Sequence, residues 1–158
     1  MTSATLVSIN DTISEFLWDN HNCIDMNGFK IKSGINLWVC QFGNSDYDFA
    51  GFPFQFTNYP KTPQQMDEFV KKVNTLDPGM QVAIILYDGF LSGMQDTLLP
   101  AFQSLGSQSF QEAQLCQNYC MIGRKGGSAI ESYGDDPFGL RKIRVNAKFE
   151  WPDCWISN

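Results

Sequence analysis

The chain has 158 residues, 43% of them hydrophobic and 18% charged, with 17 acidic against 11 basic residues and a formal net charge of -6. That composition suits one folded domain; at this length roughly two thirds of the unfolded surface is buried, so neither metal nor disulfides are required for folding. No long basic stripe is available to track a phosphate backbone, which argues against a nucleic-acid partner, and no run reaches the roughly 18 apolar residues of a membrane span.

Residues 1–23 lack firm periodicity: 5–9 are strand-like, while Ile13, Phe16 and Leu17 fit one helical face. They read as an N-terminal extension or docking segment, with the domain proper at 24–158. Met1-Thr2-Ser3-Ala4-Thr5 has no basic stretch of the kind that opens a secretory signal, so the chain is expected to act without secretion unless a leader has been removed. From Gly28 the pattern sharpens. Residues 29–32 alternate, Ser33-Gly34 turns the chain, and 35–42 read as a central strand apolar on both faces. Asn44-Ser45-Asp46-Tyr47-Asp48 is a turn; Asp46 and Asp48 lack the later glycine and glutamate of a calcium loop. Phe52, Phe54 and Phe56 alternate as a strand that Pro53 assigns to a sheet edge.

Thr62-Pro63 is a helix start, after which Met66, Phe69, Val70, Val73 and Leu76 share one face until Asp77-Pro78-Gly79 ends it. Residues 80–87 then read as a strand buried on both sides, leaving the sheet at Asp88-Gly89. A second helix opens at Asp96-Thr97, turns Leu98, Leu99, Phe102 and Leu105 inward, and stops at Gly106; a loop rich in Gln and Ser follows. Residues 119–122 form a strand running into Gly123-Arg124-Lys125-Gly126-Gly127. From Ile143 to Trp151, apolar residues alternate with Lys142, Arg144, Asn146, Lys148 and Glu150 as a half-buried strand. The fold class expected is therefore α+β, one domain of mostly antiparallel strands with two helices.

Residues able to do chemistry are few. The five cysteines, Cys23, Cys40, Cys116, Cys120 and Cys154, are odd in number, and the C-x3-C pair at 116 and 120 has no second Cys/His pair to complete a zinc site. Buried thiols are expected to behave as small apolar side chains. His21 is the single histidine and lies in a polar run, so no Ser-His-Asp or Cys-His pair is expected. Gly89-Phe90-Leu91-Ser92-Gly93 only loosely resembles a nucleophile elbow, and the side chains of adjacent Asp135 and Asp136 are expected to diverge rather than form a glycosidase dyad. Gly123 to Gly127 lacks the spacing of a phosphate-binding loop; its glycines suit a tight turn with Arg124 and Lys125 at the tip. No catalytic residue, metal or cofactor is expected.

Ser104-Leu105-Gly106-Ser107 followed by Tyr119-Cys120-Met121-Ile122-Gly123-Arg124-Lys125-Gly126-Gly127 resembles the GG domain of the interleukin-like EMT inducer (PANDER) family. Gly34-Ile35-Asn36-Leu37-Trp38-Val39, the helix at 66–73, the strand at 81–88 and the helix start at Asp96-Thr97 are similar to its other elements, in order, over residues 28–133. The resemblance implies a compact sandwich of two mostly antiparallel sheets with two flanking helices, and binding rather than catalysis. Domains of this type occur in the stem of a protein O-mannose N-acetylglucosaminyltransferase, in hyaluronan-related cell-migration proteins and in the long-tail-fibre hinge protein of tailed phages. In the transferase the resemblance implies a sugar pocket made by an acid after the central strand, here Asp88, and an arginine in a W-R-D-x-W segment. This chain has Leu115-Cys116-Gln117-Asn118-Tyr119 there, so the guanidinium that would orient a ligand is replaced by Cys116.

The function expected is a non-enzymatic hinge or adaptor of a phage tail-fibre apparatus, located in the virion. Its partners would be other virion proteins, docked through residues 1–23 and the aromatic C-terminus at Trp151 and Trp155. The alternative is a secreted carbohydrate-binding or cytokine-like module using Asp88, Arg124 and Lys125.

Overall fold

Residues 2–8, 14–18, 21–22, 32–39, 54–57, 63–87, 95–113, 118–134 and 143–149 are described by the computed structural model of the protein. The run Gln81–Tyr87 explains the arrangement around it. Val82, Ile84 and Leu86 point to one side, Ala83 and Ile85 to the other, and all five are fully buried, so this strand must have neighbours and cover on both faces. It is the centre of a five-stranded antiparallel sheet. Numbered in chain order, the strands are β1 (Thr2–Ser8), β2 (Ser14–Trp18), β3 (His21–Asn22), β4 (Gly34–Val39), β5 (Phe54–Thr57), β6 (Gln81–Tyr87), β7 (Asn118–Arg124), β8 (Ala129–Gly134) and β9 (Ile143–Phe149). The sheet runs β5-β4-β6-β7-β8, which puts β5 at the edge as Pro53 implies and β4 in the interior.

One face of this sheet carries two helices, α1 (Gln64–Asn74) and α2 (Gln95–Ser104). Met66, Phe69 and Val73 recur at helical spacing on α1, and Leu98, Ala101 and Phe102 on α2; all are buried against Ile35, Leu37, Val82, Ile84, Leu86 and Met121 of the sheet. The Gln and Ser loop after α2 contains a further helical turn, α3 (Phe110–Ala113), which the sequence reading passed over. Its Phe110 ring lies parallel to that of Phe102 at 4.0 Å between centroids. Phe69 and Tyr119 close on Phe102 from other sides at 5.3 and 5.6 Å, an aromatic cluster that joins α1, α2, α3 and β7.

The α+β class, with a mostly antiparallel sheet and helices against it, is as the sequence indicates. The remaining strands pair antiparallel in the order β3-β2-β1-β9, so the first strand hydrogen-bonds to the last, from Thr2↔Phe149 to Ser8↔Ile143.

Within the strand read as apolar on both faces, Asn36 is completely buried and fully bonded. Its amide donates to the carbonyls of Lys32 and Ile85 at 2.9 and 3.1 Å, and its oxygen accepts from the Lys32 amide and the Gln55 side chain at 3.1 and 3.0 Å. Asn36→Leu is expected to cost about 2–3 kcal/mol, because it removes four hydrogen bonds, one of them fully buried at the Ile85 carbonyl, and the leucine can replace none of them; urea denaturation checks this.

Candidate functional site

Two of the segments that carry the resemblance, 104–107 and 119–127, meet at one place, the turn that ends the second. Helix α2 ends in a Schellman motif: the Ser107 amide donates to the Phe102 carbonyl, the Gly106 amide to that of Gln103, and Gly106 takes a φ of +101°. The turn after β7 has the Gly127 amide donating to the Arg124 carbonyl at 2.9 Å, with Gly126 at φ +74°, the positive value a type II turn needs at its third residue. Asp77-Pro78-Gly79-Met80 is built the same way, with Gly79 at φ +90° and the Met80 amide on the Asp77 carbonyl.

These two turns are bonded to each other, and the turn after β7 is bonded also to the end of α2. The Gly79 amide donates to the Lys125 carbonyl and the Lys125 amide to the Met80 carbonyl, each at 2.8 Å. The Gly126 amide donates to Ser104 at 2.8 Å and the Arg124 amide to Leu105 at 3.1 Å. Backbones approach so closely that a Cβ on Gly123 would lie 2.4 Å from the Leu105 carbonyl oxygen, and one on Gly106 would lie 2.4 Å from the Ser128 carbonyl carbon.

Lys125 is therefore not at a free tip, as its place between glycines suggests. Its Nζ donates to the Val73 carbonyl at 2.7 Å, capping the last turn of α1 where a cation is favoured. Arg124 is half-buried, and its side-chain carbons pass close beneath Gly127. Lys125→Met keeps the aliphatic stem but loses this bond, and is expected to lower stability by about 1–2 kcal/mol with no change of secondary structure, as thermal denaturation followed by circular dichroism would show. Of the other site candidates, Asp88, Cys116, Trp151 and Trp155 lie outside the described residues.

A second polar cluster adjoins this junction. Glu131 of β8 reaches the segment between α2 and α3: one carboxylate oxygen accepts from the Gln108 and Ser109 amides at 2.9 and 3.1 Å, and the other from the Ser107 hydroxyl and from the Tyr119 hydroxyl at 2.5 Å. Ser107 Oγ in turn accepts from the amide of Phe110, the first residue of α3. Burial, reinforced by the hydrogen bond to the Glu131 carboxylate and by its charge, holds the Tyr119 hydroxyl far above its ordinary value of 10.0. The folded state thus retains a proton that the unfolded chain releases, and the stability contributed by Tyr119 is full below pH 10 and declines as pH rises beyond it. Alkaline titration at 295 nm should show this phenol ionising only together with unfolding; its ionisation in the native protein at ordinary pH for tyrosine would contradict the assignment.

Residues 33–127, more than half of the chain, match the family described as interleukin-like EMT inducer. The chain belongs to the interleukin-like EMT inducer family. Comparison with curated proteins gives no match. The matched span begins just before β4 and closes at Gly127, so the interleukin-like EMT inducer domain of this chain contains β4 to β7, α1 to α3 and the complete junction of α2 with the GG turn. Glu131, which bonds four groups of that domain, lies just beyond it.

Sequence reasoning missed Glu131, Ser107 and Tyr119 as a group. The available signal was Ser107 three residues before Phe110, close enough in the chain for its hydroxyl to accept a backbone amide.

Proposed function

We propose that the protein is a non-enzymatic connector domain that works through protein–protein contacts, and that its setting is the tail-fibre apparatus of a phage virion as hinge or adaptor. The observation that carries the connector reading is the junction itself. Residues that carry the resemblance, Ser104, Leu105, Arg124 and Gly126, are engaged in bonds between the end of α2 and the turn after β7, and Lys125, a cation available in principle to a ligand, serves the end of α1. Such residues maintain a rigid body rather than turn over a substrate.

The virion setting rests on the resemblance to phage hinge proteins. We further read the β3-β2-β1-β9 ladder as the second layer of a two-sheet sandwich, since β1 lies near β6 and β7, and β9 near β7 and β8. Mass spectrometry of purified particles from the source is the test: the protein should appear at stoichiometric level, and its absence overturns the virion reading. A glycan array run with the protein and with Arg124→Ala tests the connector reading separately. Binding lost on that substitution would replace it with the carbohydrate-binding one.

A further inference from the structure

A four-residue helix has no stability of its own, because nucleation fixes several backbone dihedrals for one hydrogen bond. Helix α3 nevertheless forms at Phe110–Ala113, and the groups before its first turn are satisfied from another strand. The donors converging on Glu131 come from both sides of α3 in the chain: Ser107, Gln108 and Ser109 precede it, and Tyr119 follows it. We infer that Glu131 is a two-ended latch, holding the chain where it leaves α2 and where it rejoins the sheet at β7, and that release of this one carboxylate opens residues 108–110 without opening the sheet.

The reason the sheet stays closed is geometric. Glu131 takes its place in the β7–β8 ladder through its backbone, opposite Met121, and that ladder runs from Asn118↔Gly134 to Gly123↔Ala129 independently of the side chain. Only the carboxylate crosses to the segment after α2. Phe110 is a separate anchor, stacked on Phe102, so the opened state keeps its ring in the core while the amides of Gln108 and Ser109 turn to water. The element thus has two discrete arrangements, latched and unlatched, over a sheet common to both. The inference does not depend on what the domain binds.

Native-state hydrogen exchange on the full chain tests it. Glu131→Gln keeps the size of the side chain but offers one acceptor oxygen in place of two. It should accelerate exchange at Gln108, Ser109 and Phe110 by about 10–100-fold while Ile84 and Met121 keep their rates. Acceleration by the same factor at Ile84 and Met121, or none at 108–110, overturns the latch. Tyr119→Phe removes only the far end. It should accelerate Gln108 and Ser109 by about 3–10-fold although the change is ten or more residues away; unchanged rates there dispose of the two-ended arrangement. If Glu131→Gln does not fold, Tyr119→Phe decides the matter alone.

Discussion

Alanine at Gly106 is expected to lower the unfolding free energy by at least about 3 kcal/mol, seen as a lower urea midpoint at unchanged slope. Two separate effects add. The backbone there has a φ of +101°, a conformation that L side chains rarely adopt, and the new methyl would lie 2.4 Å from the Ser128 carbonyl carbon and 2.7 Å from the Ala129 nitrogen. Both of those are backbone atoms, held where the chain enters β8 opposite Gly123, so neither can swing aside as a side chain could. Relief requires α2 to back away from the GG turn, which breaks the bonds from Arg124 and Gly126 to Leu105 and Ser104. Gly126→Ala is the control. Its φ is +74° but nothing lies within 4 Å of the added Cβ, so only the conformational cost of about 1–2 kcal/mol applies. Equal losses at the two positions would show that close approach is not what selects glycine at 106.

Phe102→Ala should cost about 3–5 kcal/mol. The ring is fully buried and is the member of the aromatic cluster that touches Phe69, Phe110 and Tyr119 together. Its removal opens a cavity between α1, α2, α3 and β7, whose backbones are fixed by their own hydrogen bonds and can collapse only partly. Phe102→Leu should recover much of the loss, since it refills part of the volume without the stacked contact to Phe110. A loss below about 1 kcal/mol for the alanine variant, measured by chemical denaturation, would mean that the cluster is not the mechanical centre of the helical face.

What could be read from the sequence was local. The apolar run at 82–86 announced a strand covered on both faces, Met66, Phe69, Val70 and Val73 announced a helix face, and Gly106 and Gly79 marked where helices end. What escaped depends on separation along the chain. Asn36 is bonded across strands to Gln55 and Ile85, and no feature of its own strand shows that a buried amide is satisfied there. Lys125 looked like the tip of a turn because its partner, the Val73 carbonyl, is 52 residues away. Glu131 sits 22 to 24 residues from the groups it bonds after α2, and α3 is too short for periodicity to reveal. Of the candidate site, the glycine turn was legible as a turn, whereas its engagement with α1 and α2 was not.

The mutual bonding of the two turns has a practical side for anyone engineering this chain. The tip of a β-hairpin is ordinarily where a tag, a foreign domain or new termini can be introduced with least harm. Between Lys125 and Gly126 such an insertion would have to part Gly79, Met80 and Ser104 from their partners at once. The tip of this hairpin is therefore among the least permissive places in the chain for a graft or a circular permutation.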